Sequence, residues 1–153
     1  MSTLSQRISG EMKAAFLGGD RFRGDVLRNL RAAILNEEVA KGKREEGLSD
    51  AEIEAVIARE VKKRAESARL YSENNRPELA EPEAKESAVL EEFLPKKMTD
   101  EEIRALVEAK IAEMGVSGPQ AMGQVIGAVK ADAGAAADGA KLAQIVKEIL
   151  VKS

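Results

Sequence analysis

The chain has no cysteine, no histidine and no tryptophan among its 153 residues, and aromatic residues make up 3% of it. Without Cys and His it cannot build a thiolate or imidazole metal site, a cysteine nucleophile, a disulfide or a Ser-His-Asp relay, so most enzyme mechanisms are excluded and no catalytic residue, metal or cofactor is expected. Long apolar runs are also missing. The opening "MSTLSQRISGEMKAA" has no signal-like stretch and no segment is long and apolar enough to span a bilayer, which predicts a soluble cytoplasmic protein with no membrane partner. The formal net charge of -3 gives no global attraction to nucleic acid, so any RNA contact has to come from a local patch.

What is present is 44% hydrophobic and 33% charged, rich in Ala, Leu, Glu, Lys and Arg. That balance, with almost no strand signal, predicts an all-α fold with a core large enough for one ordinary domain or two small ones. The spacing predicts a first helix over about 4–17, ended by Gly18-Gly19, and a second from Asp20 to about Lys41. The second helix carries Phe22, Val26, Leu30, Ala33 and Ile34 as a buried stripe. Ser49 followed by Glu52 reads as a capping box opening a long third helix with Ile53, Val56, Ile57 and Val61 inward. Pro77 and Pro82 then disfavour uninterrupted helix until "KESAVLEEFL" resumes the pattern. A second capping box, Thr99 with Glu102, starts a helix closed by Gly115, and two more follow, one opening near Pro119 and one capped by Asp138. The boundary falls at "PKKMT", giving an N-terminal helical bundle over 1–96 and a small C-terminal three-helix domain over 97–153.

Gly123 and Gly127 in "MGQVIGAVKADAGAAADGAKLAQIV" match no phosphate-loop spacing and follow no strand. They fall one turn apart on a helix edge shared with Lys130, beside the stripe of Met122, Val125, Ile126 and Val129. The default reading is that another helix packs on this smooth strip. The functional one is that a sugar-phosphate backbone approaches it with Lys130 alongside.

Cations are also gathered locally. Residues 59–69 hold five basic side chains against two acidic, whereas residues 73–92 hold two against seven. Arg59, Lys62 and Arg69 lie opposite the apolar stripe with Lys63 on its flank, while Arg64 follows Glu60 at i,i+4 and reads as structural. On the second helix Arg21, Arg28 and Arg31 share the face away from the core. Both sets admit the plain reading of solvated helix faces. The dense glutamates of 81–92 offer no pair of carboxylates held apart in a pocket, and Met12, Met114, Met122 and Tyr71 read as packing residues.

"MGQVIGAVK" followed by "ADGAKLAQIVKEIL" resembles the closing segment of the GatB/YqeY family, with its M-G-x-V-M-G, A-D-G and terminal V-x-x-x-L pattern. "VLRNLRAAILNEEV", "REVKKRAESARLY", "NRPELAEPE" and "LEEFLPKKMTDEEI" stand in the order and spacing of free-standing YqeY-like proteins, so the resemblance covers essentially the whole chain. Such proteins are similar to the tail of the B subunit of the tRNA-dependent amidotransferase, a carbon–nitrogen ligase that takes nitrogen from glutamine. A similar module is appended to some glutaminyl-tRNA synthetases. The resemblance implies an accessory module that binds tRNA and performs no amide chemistry, with the amidotransferase or an aminoacyl-tRNA synthetase as further partner. Lys62, Lys63, Arg28, Arg31 and Lys130 would then meet phosphates, and the Gly123/Gly127 edge would admit the RNA. Many relatives carry Gly-Lys or Gly-Arg before A-D-G, where Ala135-Ala136 stand here. The alternative is a helical adaptor that captures a protein partner through residues 73–92 or an exposed apolar face.

Overall fold

A computed structural model describes residues 2–152. Among these the fold is all-α, with α1 Thr3–Leu17, α2 Arg21–Lys41, α3 Asp50–Glu73, α4 Pro77–Glu91, α5 Asp100–Met114, α6 Met122–Ala133 and α7 Gly139–Val151. Short 3-10 turns, Pro119–Ala121 and Gly134–Ala136, flank α6. Both capping boxes form: Ser49 and Thr99 accept from the backbone N–H of Glu52 and Glu102, whose carboxylates accept from the cap N–H in return. Gly42 and Gly115 end α2 and α5 in the left-handed conformation, at φ 68° and 65°, where a Cβ would be strained. Among the described residues no helix is long and apolar enough to cross a membrane.

The chain divides into two compact units, Met1–Leu94 and Pro95–Ser153. In the first, Leu4 and Ile8 of α1, Leu27 and Leu30 of α2, Ile53 and Ile57 of α3, and Leu90 and Phe93 at the end of α4 bury one core. Arg7 stacks over the Phe93 ring at 4.5 Å and covers that end. Beyond the core, α3 and α4 continue as a two-helix arm reversing at residues 74–76, with Asn75 in the left-handed region at φ 57°. Alanines 65, 68, 80 and 84 line the seam, and such small side chains let the two backbones lie close.

Two expectations change here. Helix is interrupted at 74–76 but resumes at Pro77 rather than at Lys85, because in the first turn the missing N–H of Pro77 has no partner to lose. Pro82 lies inside α4 but on its exposed side, as does Glu78, whose carbonyl it deprives of a donor on a face open to solvent. Phe22 leaves the expected stripe and is 42% exposed, facing α4 beside Glu78 and Pro82. Leu27 takes the inward place instead. Close approach of α1 and α2 is provided by Gly24, whose absent Cβ would lie 2.6 Å from the Phe16 ring.

The second unit has its own core: Ile103 and Val107 of α5, Val125 and Val129 of α6, and Leu142, Val146 and Leu150 of α7 are fully buried. Asp138 caps α7 by accepting from the Lys141 N–H, and Met98 N–H donates to the Ala136 carbonyl at 2.8 Å, fastening the lead-in to α5 against the turn before α7.

Candidate nucleic-acid interface

α3 presents its cations in two classes. Arg59 is ion-paired to Glu37 of α2. Arg64, half-buried, holds Glu60 at 2.8 Å and Glu86 of α4 at 3.1 Å, and Arg69 is pinned between Glu66 and Glu73. The hydrogen bond from Arg59 holds the Glu37 carboxyl below the ordinary carboxylate range. Lys62 and Lys63 are exposed and, among the described residues, make no ion pair. The segment that is basic in sequence is therefore locally neutralised at its arginines and open at its two lysines.

On α2, Arg28 reaches Asp25 at 2.9 Å and lies 5.8 Å from the Phe16 ring centre. Arg31 has no carboxylate partner among the described residues and touches Met12 Sδ at 3.9 Å. These side chains do not converge on one groove with the α3 lysines. Lys63 lines a shallow recess between α2 and α3 with Ala33, Asn36 and Ala40, whereas Arg31 lines a separate cavity between α1, α2 and the 43–48 loop.

In the second unit the packing expected at the glycine strip is absent. Gly123 and Gly127 are exposed, and a Cβ built on either meets nothing within 4 Å. The reason is the register of α6: Val125 and Val129 turn fully inward and Met122 and Ile126 flank them, leaving the glycine edge outside. Lys130 continues that edge, exposed and without an ion-pair partner among the described residues. Nearby Lys110 contrasts with it, held by Asp132 at 2.6 Å with its pKa raised by that hydrogen bond. Ala135 and Ala136 are partly buried in the turn that Met98 binds, so no cation is offered there.

Arg28, Arg31, Lys62 and Lys63 thus belong to the first unit and Gly123, Gly127 and Lys130 to the second. Arg44, in the 43–48 loop, is a further exposed cation without an ion pair among the described residues. Its neighbours Glu45 and Glu46 hid it from charge counting. Among the described residues no group of three or more acidic side chains is arranged to hold a metal. An open ammonium such as Lys130, beside a bare strip of backbone, can meet a phosphate.

One curated relative is "Altered inheritance of mitochondria protein 41, mitochondrial" of Clavispora lusitaniae (strain ATCC 42720), 29% identical over 103 residues that cover 66% of this chain and 58% of that protein. The chain therefore matches less than two thirds of that relative's length. The profile of the Yqey-like protein family matches residues 5–150, nearly the full sequence. By that match, the chain belongs to the YqeY-like family.

Proposed function

We propose that the protein is an accessory tRNA-binding module associated with glutamine-dependent amidation of aminoacyl-tRNA, supplying RNA contacts and no bond-making step. The observation that carries this reading is the Gly123/Gly127 edge, bare to solvent and continued by Lys130, which has no ion-pair partner among the described residues. A sugar-phosphate backbone can approach such an edge more closely than any helix face bearing side chains, and the ammonium beside it offsets phosphate charge. Lys62, Lys63 and Arg31 add cations that have no carboxylate to give up among the described residues, and Arg28 has only an exposed pair with Asp25, which is weak in water. The amidotransferase or an aminoacyl-tRNA synthetase is the protein partner in this reading, and the cytoplasm its place of action.

The test is a titration with deacylated tRNA followed by fluorescence anisotropy over a range of salt. Affinity should fall with salt at a slope of about one per neutralised phosphate, and Lys62→Ala with Lys63→Ala should lower that slope by up to about two. Absence of saturable binding at low salt overturns the reading, and an unchanged slope removes those lysines from it. An adaptor role is favoured by one feature, the exposed Phe16, Leu17 and Phe22 around the α1–α2 turn, and would show as partner capture that survives nuclease treatment.

A further inference from the structure

The cavity that takes Arg31 has a volume of about 240 Å³ and lies between α1, α2, the 43–48 loop and the start of α3. Its apolar lining includes Ile8, Ile34 and Ile53, all buried. Five charged side chains surround that lining: Arg31 and Arg44, and Glu38, Glu45 and Glu46. Among the described residues none of the five is in an ion pair, although most other arginines of the same unit are tied to carboxylates. The loop bearing three of them is fixed: Lys43 N–H donates to the Glu38 carbonyl and Gly47 N–H to the Lys43 carbonyl, both at 2.8 Å. Lys43 Nζ lies 3.0 Å from Glu52, and Leu48 plugs into the core.

Charges of both signs, held around one small recess and left unpaired, select a ligand by exclusion. A phosphate or other simple anion would meet three carboxylates, and a simple cation two guanidinium groups. A neutral zwitterion satisfies both. About 240 Å³ lies just below the usual range of small-molecule pockets, the scale of a single small solute such as an amino acid. Leu35, 40% exposed, offers apolar surface to an aliphatic side chain above the buried isoleucines.

We propose that this cavity binds a free α-amino acid with an aliphatic side chain, its carboxylate received by Arg31 and Arg44 and its ammonium by Glu38, Glu45 and Glu46. A guanidinium fork matches a carboxylate with two parallel hydrogen bonds, and the three carboxylates can take one each of the three ammonium N–H donors. The site does not require RNA, and an aminoacyl ester, which lacks the free carboxylate, fits it less well.

Isothermal titration of the full chain with L-leucine, N-acetyl-L-leucine and L-leucinamide tests this. L-leucine should saturate with a Kd of about 1 mM or below, and each blocked analogue should bind at least about tenfold more weakly. Methyl resonances of Ile8 and Ile34 should shift on addition of L-leucine. Arg44→Gln and Glu38→Gln should each weaken L-leucine at least about fivefold, while Lys85→Gln, on the exposed side of α4, should leave it unchanged. The proposal is overturned if L-leucine gives no saturable binding, if the blocked analogues bind as well, or if binding ignores both cavity substitutions. It is also overturned if Lys85→Gln lowers binding equally.

Discussion

Arg23 Nη1 lies 2.8 Å from a Glu92 carboxylate oxygen across 69 residues of sequence, and thereby fastens the start of α2 to the end of α4. The other guanidinium nitrogen holds Glu11 of α1 at 2.7 Å, so one side chain ties three helices at the end of the bundle where Phe93 is buried. Its pKa is raised first by the hydrogen bond to Glu92, against the opposing effect of burial. Each partly exposed pair contributes a few tenths to about 1 kcal/mol, and the guanidinium near Phe93 a similar amount. Arg23→Gln should lower the stability of the first unit by about 1–2 kcal/mol in urea unfolding. Arg23→Lys should recover only part, since an ammonium cannot fork to two carboxylates in one plane.

Gly127→Ala separates stability from binding. Position 127 lies inside α6 with open space where the Cβ would go, so the substitution should stabilise the second unit by about 0.5–1 kcal/mol through the reduced freedom of the unfolded chain. If RNA lies against that edge, the same variant should bind tRNA several-fold more weakly. A variant more stable and equally able to bind would remove the glycine edge from the interface.

Leu142→Ala tests whether the second unit depends on its own core. Leu142 is fully buried, and a cavity there should cost about 2–5 kcal/mol. A unit of this size holds roughly 3–5 kcal/mol in total, so the variant should lose the folded second unit while calorimetry still records the transition of the first. Loss or an equal downward shift of the first unit's transition in the same variant would count against independent cores.

Acid should reveal the α3 cap. The Glu52 carboxyl is drawn down from an ordinary 4.5 to about 2, first by the Ser49 N–H it accepts and then by Lys43. A carboxylate whose folded pKa lies below its unfolded one stabilises the fold fully above pH 4.5 and progressively less as pH falls toward 2. Urea midpoints of the wild type and Glu52→Gln should therefore differ at neutral pH and converge across that window. A difference that persists at pH 2 would assign the effect to something other than this ionisation.

Both capping boxes, the glycine stops after α1 and α5, and the inward face of α3 were legible in the sequence because each depends on residues within one or two turns of one another. Arg64 with Glu60 was legible for the same reason, whereas its second partner, Glu86, stands 22 residues away and enters only because α4 folds back along α3. Phe22 satisfied the period of a buried stripe and still faces outward, since the stripe says which side of α2 is apolar and not how far the neighbouring helices extend over it.

Apart from the start of α4, helix positions, the two capping boxes and the all-α class were determined by the sequence alone, through hydrogen bonds and side-chain periodicities that close within a few residues. Which cations remain open was decided by tertiary structure. Folding α4 against α3 placed Glu86 on Arg64, and α2 against α3 placed Glu37 on Arg59, leaving Lys62 and Lys63 exposed. In the second unit, burial of Val125 and Val129 turned the Gly123/Gly127 edge to water. Charge neutralisation and exposure depend on distances between elements far apart in the chain, and those distances exist only once the helices have packed.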